Sequence, residues 1–323
     1  MSIITIGLNP AIDRIVAARR LVPGEHLPVT QLTRLAAGKA ANVSRALALC
    51  GKNSTAMGFL GRSDADWFAR QLTALGPGTI RCRFIKAIER TRENVTILDA
   101  ATGVETHLRE TGCPVGARAF QQATVLLKKT MHRGDTVIFA GSLPPGFSTQ
   151  QMATLLKASE AAGCRIAVDT SGAALKAALR CPLWLIKPNL EELSELLGRR
   201  IRNNPQAISA AADPLLKTVE NILVSRGAAG AVLVRRDGFY TGRLLKKVKI
   251  VRTVACGDHL LAGFVAAAVD GATPTECLRY ALLVATARAM SRDFGTFGTL
   301  LSAKAVEVWC CQAAVSCREA NNE

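Results

Sequence analysis

This 323-residue sequence has few histidines, no closely spaced pairs of cysteines of the C-x-x-C type and no long apolar runs. Its ten cysteines show no C-x-x-C spacing and are accompanied by only four histidines, so a zinc site is not expected. Such scattered cysteines are typical of reduced thiols in a cytoplasmic protein. The longest apolar segments, such as 260–269, are far shorter than the roughly 20 residues that span a bilayer. We therefore expect no membrane span, no signal peptide and a cytoplasmic location.

Aromatic and acidic residues are also scarce. Phe, Trp and Tyr make up 5% of the chain, and 41 Lys and Arg against 25 Asp and Glu give a net charge of +16. A basic surplus predicts anionic partners, which are phosphorylated metabolites, nucleic acid or a membrane surface. The basic residues are dispersed and no aromatic stacking platform is visible, so neither nucleic acid nor a membrane is the expected partner. The length suits one large α/β domain or two small ones, and without a linker or repeat a single domain over 1–323 is expected.

The most informative stretch is 253–264, which reads TVACGDHLLAGF. From Asp258 onward the apolar spacing becomes helical, so a loop of small residues lies across a helix N-terminus. The first turn of a helix has unpaired backbone N–H groups and partial positive charge, which together suit a phosphate. A carboxylate beside that phosphate suits the removal of a proton from an attacking hydroxyl. Small residues before an Asp also form ordinary N-caps, so this loop alone leaves a structural role open.

Two further turns and one arginine carry groups that bind sugars or anions. Asp13 ends a polar turn after the first predicted strand, where it could hydrogen-bond sugar hydroxyls or cap the turn. Gly38-Lys39 opens the first long helix with backbone donors and one ammonium group, without the Walker A pattern. Arg92 lies among short predicted strands, and its guanidinium suits phosphate oxygens. Taken singly, Lys39 is equally a solvated lysine and Arg92 a partner of a neighbouring carboxylate.

Predicted strands alternate with helices from residue 116 onward. The strands are 136–140, 165–168, 183–186 and 221–224, and each ends in a polar or glycine-rich turn. These turns should line one edge of a mostly parallel sheet. Short strands within 14–35 and 81–108 are predicted to form a lid. The expected fold class is therefore α/β, with a central mostly parallel sheet flanked by helices and a small β-sheet lid.

The turns follow one another in an order that is more specific than any one of them. They read Asn9-Pro10-Ala11-Ile12-Asp13, Ala36-Ala37-Gly38-Lys39 with Asn42-Val43, Thr91-Arg92, Gly141-Ser142-Leu143-Pro144, Lys187-Pro188-Asn189 with Glu192, Ser225 to Gly230, and Thr253 to Phe264. In this order, over nearly the whole chain, the sequence resembles the ribokinase-like (PfkB) carbohydrate kinases. Within them it is similar to the branch of 1-phosphofructokinase and tagatose-6-phosphate kinase.

The resemblance implies roles for residues on both sides of the transferring phosphoryl group. Asp258 would be the general base, and the anion hole would be formed by the backbone of Ala255, Cys256 and Gly257. Sugar hydroxyls would be held by Asp13, Gly38 and Asn42, and the phosphate already on the sugar by Lys39 and Arg92.

The resemblance also implies ATP and Mg²⁺ as cofactors. The nucleotide site would be formed by Ser225, Arg226, Gly227, Ala228 and Gly230 with Lys187, and the helical region 274–292 would wall the adenine. Asn189 and Glu192 would organise Mg²⁺ and the ATP phosphates largely through water. In several members of the family the lid builds a dimer, so a homodimer through the lid is an expectation for this chain.

The leading hypothesis is ATP-dependent phosphorylation of a ketohexose phosphate, with fructose 1-phosphate converted to fructose 1,6-bisphosphate. Tagatose 6-phosphate, a neutral sugar or a nucleoside stays open as the acceptor. A hypothesis of another class is a catalytically weak sugar-phosphate sensor, because the chain departs from the family pattern. Alanine replaces a usual glycine at Ala40 and Ala255, while Arg252 and His259 stand where Asn or Asp and a small residue are common.

Cys256 carries a separate expectation. A thiol at a helix N-terminus should have a lowered pKa and oxidise readily. We nevertheless interpret Cys256 as a small residue that fills the loop.

Overall fold

The structure is a computed structural model that describes residues 1–74, 76, 78–291, 293 and 297–312. In these residues, ten strands form one large sheet and four strands form a smaller one. The strands are β1 (Ile3–Gly7), β2 (Ala11–Ala18), β3 (Val29–Ala37), β4 (Ser54–Gly61), β5 (Ile80–Ile88), β6 (Arg92–Asp99), β7 (Glu105–Arg109), β8 (Thr136–Ala140), β9 (Arg165–Asp169), β10 (Leu183–Ile186), β11 (Val219–Ser225), β12 (Ala231–Arg235), β13 (Gly238–Leu244) and β14 (Val306–Gln312).

Helices connect most of these strands and cover the large sheet. They are α1 (Lys39–Leu49), α2 (Ala65–Thr73), α3 (Ala117–Thr130), α4 (Thr149–Ala161), α5 (Gly172–Ala178), α6 (Leu190–Leu197), α7 (Pro205–Ala212), α8 (Cys256–Val269) and α9 (Pro274–Met290), with short 3₁₀ turns at Asp213–Lys217, Gly227–Ala229 and Ala303–Ala305. The strands predicted at 136–140, 165–168, 183–186 and 221–224 are found at these places. No helix of the described ranges is long and apolar enough to cross a membrane.

Alternation along the buried strands divides the core into two layers. In β8, Val137 and Phe139 pack in one layer with α3 and α4, whereas Ile138 and Ala140 pack in the other with α1, α8 and α9. Successive side chains of a strand point to opposite faces, so a strand that is apolar throughout must be covered on both sides. The predicted mostly parallel sheet flanked by helices is therefore confirmed.

The strand order reverses at β1, which lies between β8 and β4. Ligands of open α/β sheets bind outside the carboxyl ends of the strands at such a reversal. Two of the predicted turns meet there, because the Asn9 side-chain amide donates to Ser142 Oγ at 3.1 Å. The sheet therefore gathers at one edge turns that are far apart in the sequence.

The small sheet has the order β3-β2-β6-β7. One strand of the predicted lid lies elsewhere, because β5 pairs in parallel with β4 at the edge of the large sheet. The prediction that the strand at 81–85 belongs to the lid is therefore wrong. The physical reason is the crossover helix α2, which returns the chain parallel to the strand that precedes it. The treatment of the whole chain as one domain with a lid stays a prediction.

Helices α8 and α9 approach each other most closely at Gly263. A Cβ atom added at this glycine would lie 2.9 Å from the Cα of Ala281 and 3.0 Å from the Cβ of Val284. The missing side chain therefore sets the separation of the two helices, and with it the position of α8 against the sheet.

We expect Gly263→Ala to lower the free energy of unfolding by about 1 to 2 kcal/mol, measured by urea denaturation. Overpacking of about 1 to 3 kcal/mol outweighs the gain of about 1 kcal/mol that alanine brings to a helix interior. Gly116→Ala is the matched control, because its added Cβ meets nothing within 4 Å. A Gly263→Ala protein as stable as the wild type would contradict the close approach.

Candidate active site

The loop before α8 has an unusual backbone conformation. Ala255 is the N-cap residue of α8 and has φ 66° and ψ 4°, and among the described residues it is the one non-glycine residue with a positive φ. An L-residue in the left-handed region is disfavoured by about 1 to 2 kcal/mol. Its alanine side chain is therefore a strained replacement for the usual glycine. Ala40, the other replacement, lies in α1 without a positive φ.

The predicted anion hole is partly occupied by the protein's own backbone. The N–H of Cys256 donates to the carbonyl of Thr253 at 3.3 Å. Within the described ranges, the N–H groups of Ala255 and Gly257 have no backbone carbonyl as partner. These two amides, at the positive end of the helix dipole, are the donors that remain for an anion.

Asp258 is buried in the first turn of α8, with 6% of its surface exposed. Burial, together with the negative charge of Asp169, raises the pKa of Asp258 to about 6. A hydrogen bond of 2.8 Å from the Asn42 amide to Asp258 Oδ2 and the charges of two lysines oppose that rise. A carboxylate with this pKa can accept a proton near neutral pH, as a general base must.

Asp169, at the end of β9, is the second buried carboxylate of the site. Its Oδ1 lies 2.9 Å from the ammonium of Lys39, and its Oδ2 lies 3.3 Å from that of Lys187. Burial by itself would raise the pKa of Asp169, but the two ammonium charges lower it below its usual value. Burial by itself would lower the pKa of Lys39, but the charge and hydrogen bond of Asp169 outweigh burial, so the pKa of Lys39 is raised. The sequence showed Asp169 only as part of a polar turn, although a carboxylate at the end of a buried strand is a usable signal.

Asn42 links Asp258 to a buried arginine. Its side-chain oxygen accepts a bond of 3.2 Å from Arg45 while its amide nitrogen donates to Asp258. Arg45 also donates to the carbonyl of Ala36 at 2.6 Å, and burial lowers the pKa of Arg45 to about 10. The guanidinium thereby fixes which end of the Asn42 amide faces Asp258. Sequence reasoning missed Arg45, whose one signal is its place three residues after Asn42 on the same helix.

The predicted acceptor residue Asp13 lies in a row across the small sheet. Asn94 is its neighbour on β6 and donates to Asp13 Oδ1 at 2.8 Å, and Arg109 is the neighbour of Asn94 on β7. Residues opposite each other in a ladder present their side chains on the same face. Burial raises the pKa of Asp13, although the Asn94 hydrogen bond and the charge of Arg109 oppose that rise. Neither Asn94 nor Arg109 was singled out in the sequence.

Arg92 and Gly38 shape the turn that follows β1. The guanidinium of Arg92 donates to the carbonyl of Asn9 at 3.0 Å, to that of Pro10 at 3.3 Å and to that of Glu110 at 2.9 Å. Gly38 has φ 99°, and a Cβ atom there would lie 3.1 Å from the Cα of Pro10. Lys39 and Arg92, predicted to hold one phosphate together, therefore have different partners in the described residues, a carboxylate for Lys39 and backbone carbonyls for Arg92.

The predicted nucleotide turn begins beside the end of β10. The N–H of Ser225 donates to the carbonyl of Pro188 at 3.1 Å, which brings this turn next to Lys187. Gly227 and Gly230 have positive φ values and frame a 3₁₀ turn that contains Ala228. The side chain of Arg226 is bonded to Asn203, because Nε of Arg226 donates to Oδ1 of Asn203 at 2.7 Å.

Helix α9, the predicted adenine wall, packs against α8 and against the hairpin that follows the nucleotide turn. It ends at Met290. Residue 292 of the predicted region 274–292 lies outside the described residues.

The predicted metal residues form the N-terminal cap of α6. Asn189 Oδ1 accepts from the N–H of Glu192 at 2.7 Å, and Glu192 Oε2 accepts from the N–H of Asn189 at 2.9 Å. The other oxygen of Glu192 lies 3.7 Å from the ammonium of Lys39. The described part of the chain contains no cluster of three or more His, Cys, Asp or Glu able to hold a metal ion. These residues fit a divalent ion that is held by ATP phosphates and water, with Glu192 at a distance.

The expectation of a lowered pKa for Cys256 is wrong. Burial, together with the charge of Asp258, raises the pKa of this thiol despite the opposing charge of Arg288. The desolvation of a thiolate is the largest cause of this rise. The interpretation of Cys256 as a small residue in the loop agrees with its contact, a bond of 3.7 Å from its sulfur to the carbonyl of Arg252.

Arg252 joins the loop before α8 to the small sheet. Its Nη1 lies 3.3 Å from Oε1 of Glu105, the first residue of β7. Oε2 of Glu105 lies 3.7 Å from Nε2 of His107 on the same strand. An arginine where Asn or Asp is common thus forms an ion pair between the loop and the small sheet.

Three comparisons with known proteins show what the chain is similar to. A family model described as "pfkB family carbohydrate kinase" matches residues 2–296. The chain is 31% identical over 283 residues to a 1-phosphofructokinase of Haemophilus influenzae, which covers 88% of this chain and 89% of that protein. It is 29% identical over 300 residues to a tagatose-6-phosphate kinase of Staphylococcus epidermidis, covering 92% of this chain and 95% of that protein. The structure of phosphofructokinase-2 from Escherichia coli in complex with fructose-6-phosphate superposes with a TM-score of 0.83 at 25% identity, covering 90% and 94% of the two chains.

We expect Asp258→Asn to stabilise the protein at pH 8 by about 3 kcal/mol, because the pKa of Asp258 is raised from 3.8 to about 6 and each pKa unit corresponds to about 1.36 kcal/mol. The folded-state pKa of Asp258, about 6, lies above its ordinary value of 3.8. Ionisation of Asp258 therefore disfavours folding, a cost that develops as the pH rises from about 4 to about 6 and is complete above that, and below about pH 4 the two proteins should be equally stable. Urea denaturation at pH 4, 6 and 8 measures the difference.

Asp169→Asn is the control of opposite sign. The pKa of Asp169 is depressed, so its contribution is present above pH 3.8 and is lost as the pH falls through the folded value. Asparagine leaves two ammonium groups without their counter-charge, which should lower stability at pH 8 by about 3 to 5 kcal/mol. A loss of stability at pH 8 in both variants would contradict the opposite tuning of the two carboxylates.

Proposed function

The chain belongs to the pfkB family of carbohydrate kinases, and from this premise we propose that it transfers a phosphoryl group from ATP to fructose 1-phosphate, giving fructose 1,6-bisphosphate. The chain is thus a phosphotransferase with an alcohol group as acceptor. The similarity of this chain to proteins named 1-phosphofructokinase supports fructose 1-phosphate as the acceptor.

The observation that carries the proposal is the environment of Asp258. Its carboxylate is buried at a helix N-terminus, has a pKa of about 6, and accepts a hydrogen bond from Asn42. Just before Asp258 in the sequence, the backbone amides of Ala255 and Gly257 have no backbone carbonyl as partner. A proton acceptor beside an anion site is the arrangement that phosphorylation of a hydroxyl requires.

In the proposed reaction the 6-hydroxyl oxygen of the sugar attacks the γ-phosphorus of ATP. Asp258 accepts the hydroxyl proton as the new O–P bond forms and the bond to the β-phosphate oxygen breaks, so ADP leaves with the electron pair. The amides of Ala255 and Gly257 would donate to the phosphoryl oxygens, and Cys256 would join them if its bond to Thr253 opens. Such preorganised donors stabilise charge that develops in the transition state.

The proposed acceptor site lies between the small sheet and α1. Asp13, Gly38 and Asn42 would bind sugar hydroxyls, and the position of Asn42 between Arg45 and Asp258 supports its part. Lys39 and Arg92 would bind the phosphate of the acceptor. Their existing partners are a buried carboxylate and backbone carbonyls, so we propose that Lys39 lies between the two phosphates. Arg109, exposed in the same row as Asp13, is a third cation available to the acceptor.

The proposed nucleotide site uses the turn from Ser225 to Gly230 and Lys187. Membership of the family implies ATP as substrate together with a divalent metal. We propose that this metal is Mg²⁺, which when bound neutralises charge on the ATP phosphates. Asn189 and Glu192 would orient its water shell, because both side chains are already fixed by the cap of α6.

Two alternatives have specific support. The similarity to a tagatose-6-phosphate kinase keeps that sugar phosphate as a second acceptor. The strained backbone of Ala255 supports a catalytically weak sugar-phosphate sensor, because a misplaced anion hole would lower turnover and leave sugar binding unchanged.

We expect turnover with fructose 1-phosphate to exceed that with fructose 6-phosphate and tagatose 6-phosphate. Fructose and ribose should react at least about 100-fold less efficiently, because hydrogen bonds between charged groups contribute about 1.5 to 3 kcal/mol each. A coupled ADP-release assay with Mg²⁺ and ATP compares kcat/KM for all five. A preference for tagatose 6-phosphate would replace the proposed acceptor, and no turnover in a protein that binds ATP would favour the sensor.

The control for this assay is Asp258→Asn. It should lower kcat by about 1,000-fold or more while fructose 1-phosphate still binds, because the base is lost and the acceptor site is kept. In the wild type, kcat/KM should fall about tenfold per pH unit below about pH 6, where Asp258 becomes protonated. A profile without this acidic limb would contradict the assignment of the base.

We also propose a homodimer that forms through the small sheet. This sheet exposes Val29, Leu32 and Leu108 by 45 to 55%, and Val104, which precedes β7, is 60% exposed. β3 and β7 are its edge strands, and an exposed edge with apolar side chains favours pairing with another chain.

We expect the wild type to elute as a dimer and Leu108→Glu as a monomer in size-exclusion chromatography with light scattering, because a charge would be buried without a partner. Leu245→Glu is the matched control, since Leu245 is equally exposed at 55% and lies outside the small sheet. A dimer in the Leu108→Glu protein, or a monomeric wild type, would overturn this interface.

A further inference from the structure

His259 directly contacts Ala255, the residue with the strained backbone in the loop before α8. Its imidazole Nδ1 lies 2.8 Å from the carbonyl oxygen of Ala255, and its backbone N–H donates to the same oxygen at 3.0 Å. A carbonyl oxygen has two lone pairs, so both are used. Only the tautomer with a proton on Nδ1 can donate to this oxygen, since a carbonyl only accepts.

The surroundings of His259 hold this arrangement fixed. The side chain is 2% exposed, and its ring packs edge-on against Phe297 with centroids 5.7 Å apart. Burial lowers the pKa of His259 to about 3, so the ring is neutral at working pH and keeps its single proton. Nε2 has no hydrogen-bond partner among the described residues, so the bond to Ala255 is the only one recorded for the ring there.

The orientation of the Ala255 carbonyl decides where the neighbouring amides point. The peptide unit that contains this carbonyl also contains the N–H of Cys256, and because a peptide is planar the two turn together. If Ala255 relaxed toward a negative φ, the peptides on both sides of it would rotate. The amide of Ala255 would then move away from a phosphoryl group, and the amide of Cys256 would lose its bond to the carbonyl of Thr253.

We propose that His259 is a positioning residue for the anion hole, and that Ala255 and His259 act as a coupled pair. The imidazole holds an alanine in the left-handed conformation that glycine adopts without help. The two departures from the family pattern in this loop therefore compensate each other. This inference rests on the proposed function, because it takes the loop 255–257 as the site of the transferring phosphoryl group.

A double-mutant cycle with Ala255→Gly, His259→Ala and the combined variant tests the pair. His259→Ala should lower kcat about 10- to 100-fold, less than or similar to the loss of a whole oxyanion donor, which costs about 100- to 1,000-fold. KM for ATP and for the sugar should change less than about threefold, because the donors act mainly in the transition state. In the Ala255→Gly background the same replacement should cost less than about threefold in kcat, because glycine needs no support.

His259→Asn provides the rescue. The amide nitrogen of Asn can take the place of Nδ1 and donate to the Ala255 carbonyl, so this variant should recover most of the kcat that His259→Ala loses. Equal losses from His259→Ala in both backgrounds, or no recovery with Asn, would reduce His259 to a packing residue and overturn the inference. Circular dichroism establishes that each variant is folded.

Two measurements separate this inference from the proposed function. In ¹⁵N-histidine-labelled protein, the His259 signals should show a protonated Nδ1 and an unprotonated Nε2 from pH 6 to 8, and a protonated Nε2 overturns the pairing. The same cycle read as Tm should show that Ala255→Gly removes most of the destabilisation caused by His259→Ala. If the wild type is inactive but the Tm changes of the two replacements are coupled, the proposed function and the catalytic role of His259 are overturned. If the wild type is active but the changes in Tm and kcat are additive, only the pairing of Ala255 with His259 is overturned.

Discussion

The charge balance of the site depends on Asp169, a carboxylate without solvent access that pairs with Lys39 and Lys187. Each partner comes from a different segment, the start of α1 and the turn after β10, so these ion pairs also fix how the two turns meet. A buried carboxylate needs such partners, because desolvation of an unpaired charge would outweigh the packing around it.

The same charges give the two carboxylates opposite properties. Asp169 keeps its negative charge because two ammonium groups are close, whereas Asp258 is nearer to Asn42 than to any cation and its pKa rises to about 6. One carboxylate organises cations and the other can take a proton, a division of labour set by environment and not by residue type. Asn42, oriented by Arg45, is the group that keeps Asp258 in place.

Much of the fold was predictable, because polar turns after apolar strands mark the edge of a parallel sheet and their order identifies a family. Thr136–Ala140 and Arg165–Asp169 were found where the pattern placed them. The strand at Ile80–Ile88 was assigned to the wrong sheet, since both sheets contain short half-buried strands and only pairing separates them. Asp169 and Arg45 were missed because a buried charge is recognised by its partners, which are distant in sequence.

The sequence by itself determined the family, the order of the motifs and the identity of the residues that can donate, accept or carry charge. The tertiary structure alone decided which of them meet, because Lys39 and Asp169 are 130 residues apart and Asn42 and Asp258 are 216 apart. It also decided that Ala255 has a positive φ and that Cys256 has a raised pKa. The Ala255 carbonyl is bonded by His259, and burial raises the pKa of the Cys256 thiol, so both properties depend on how the loop is packed and not on residue type alone.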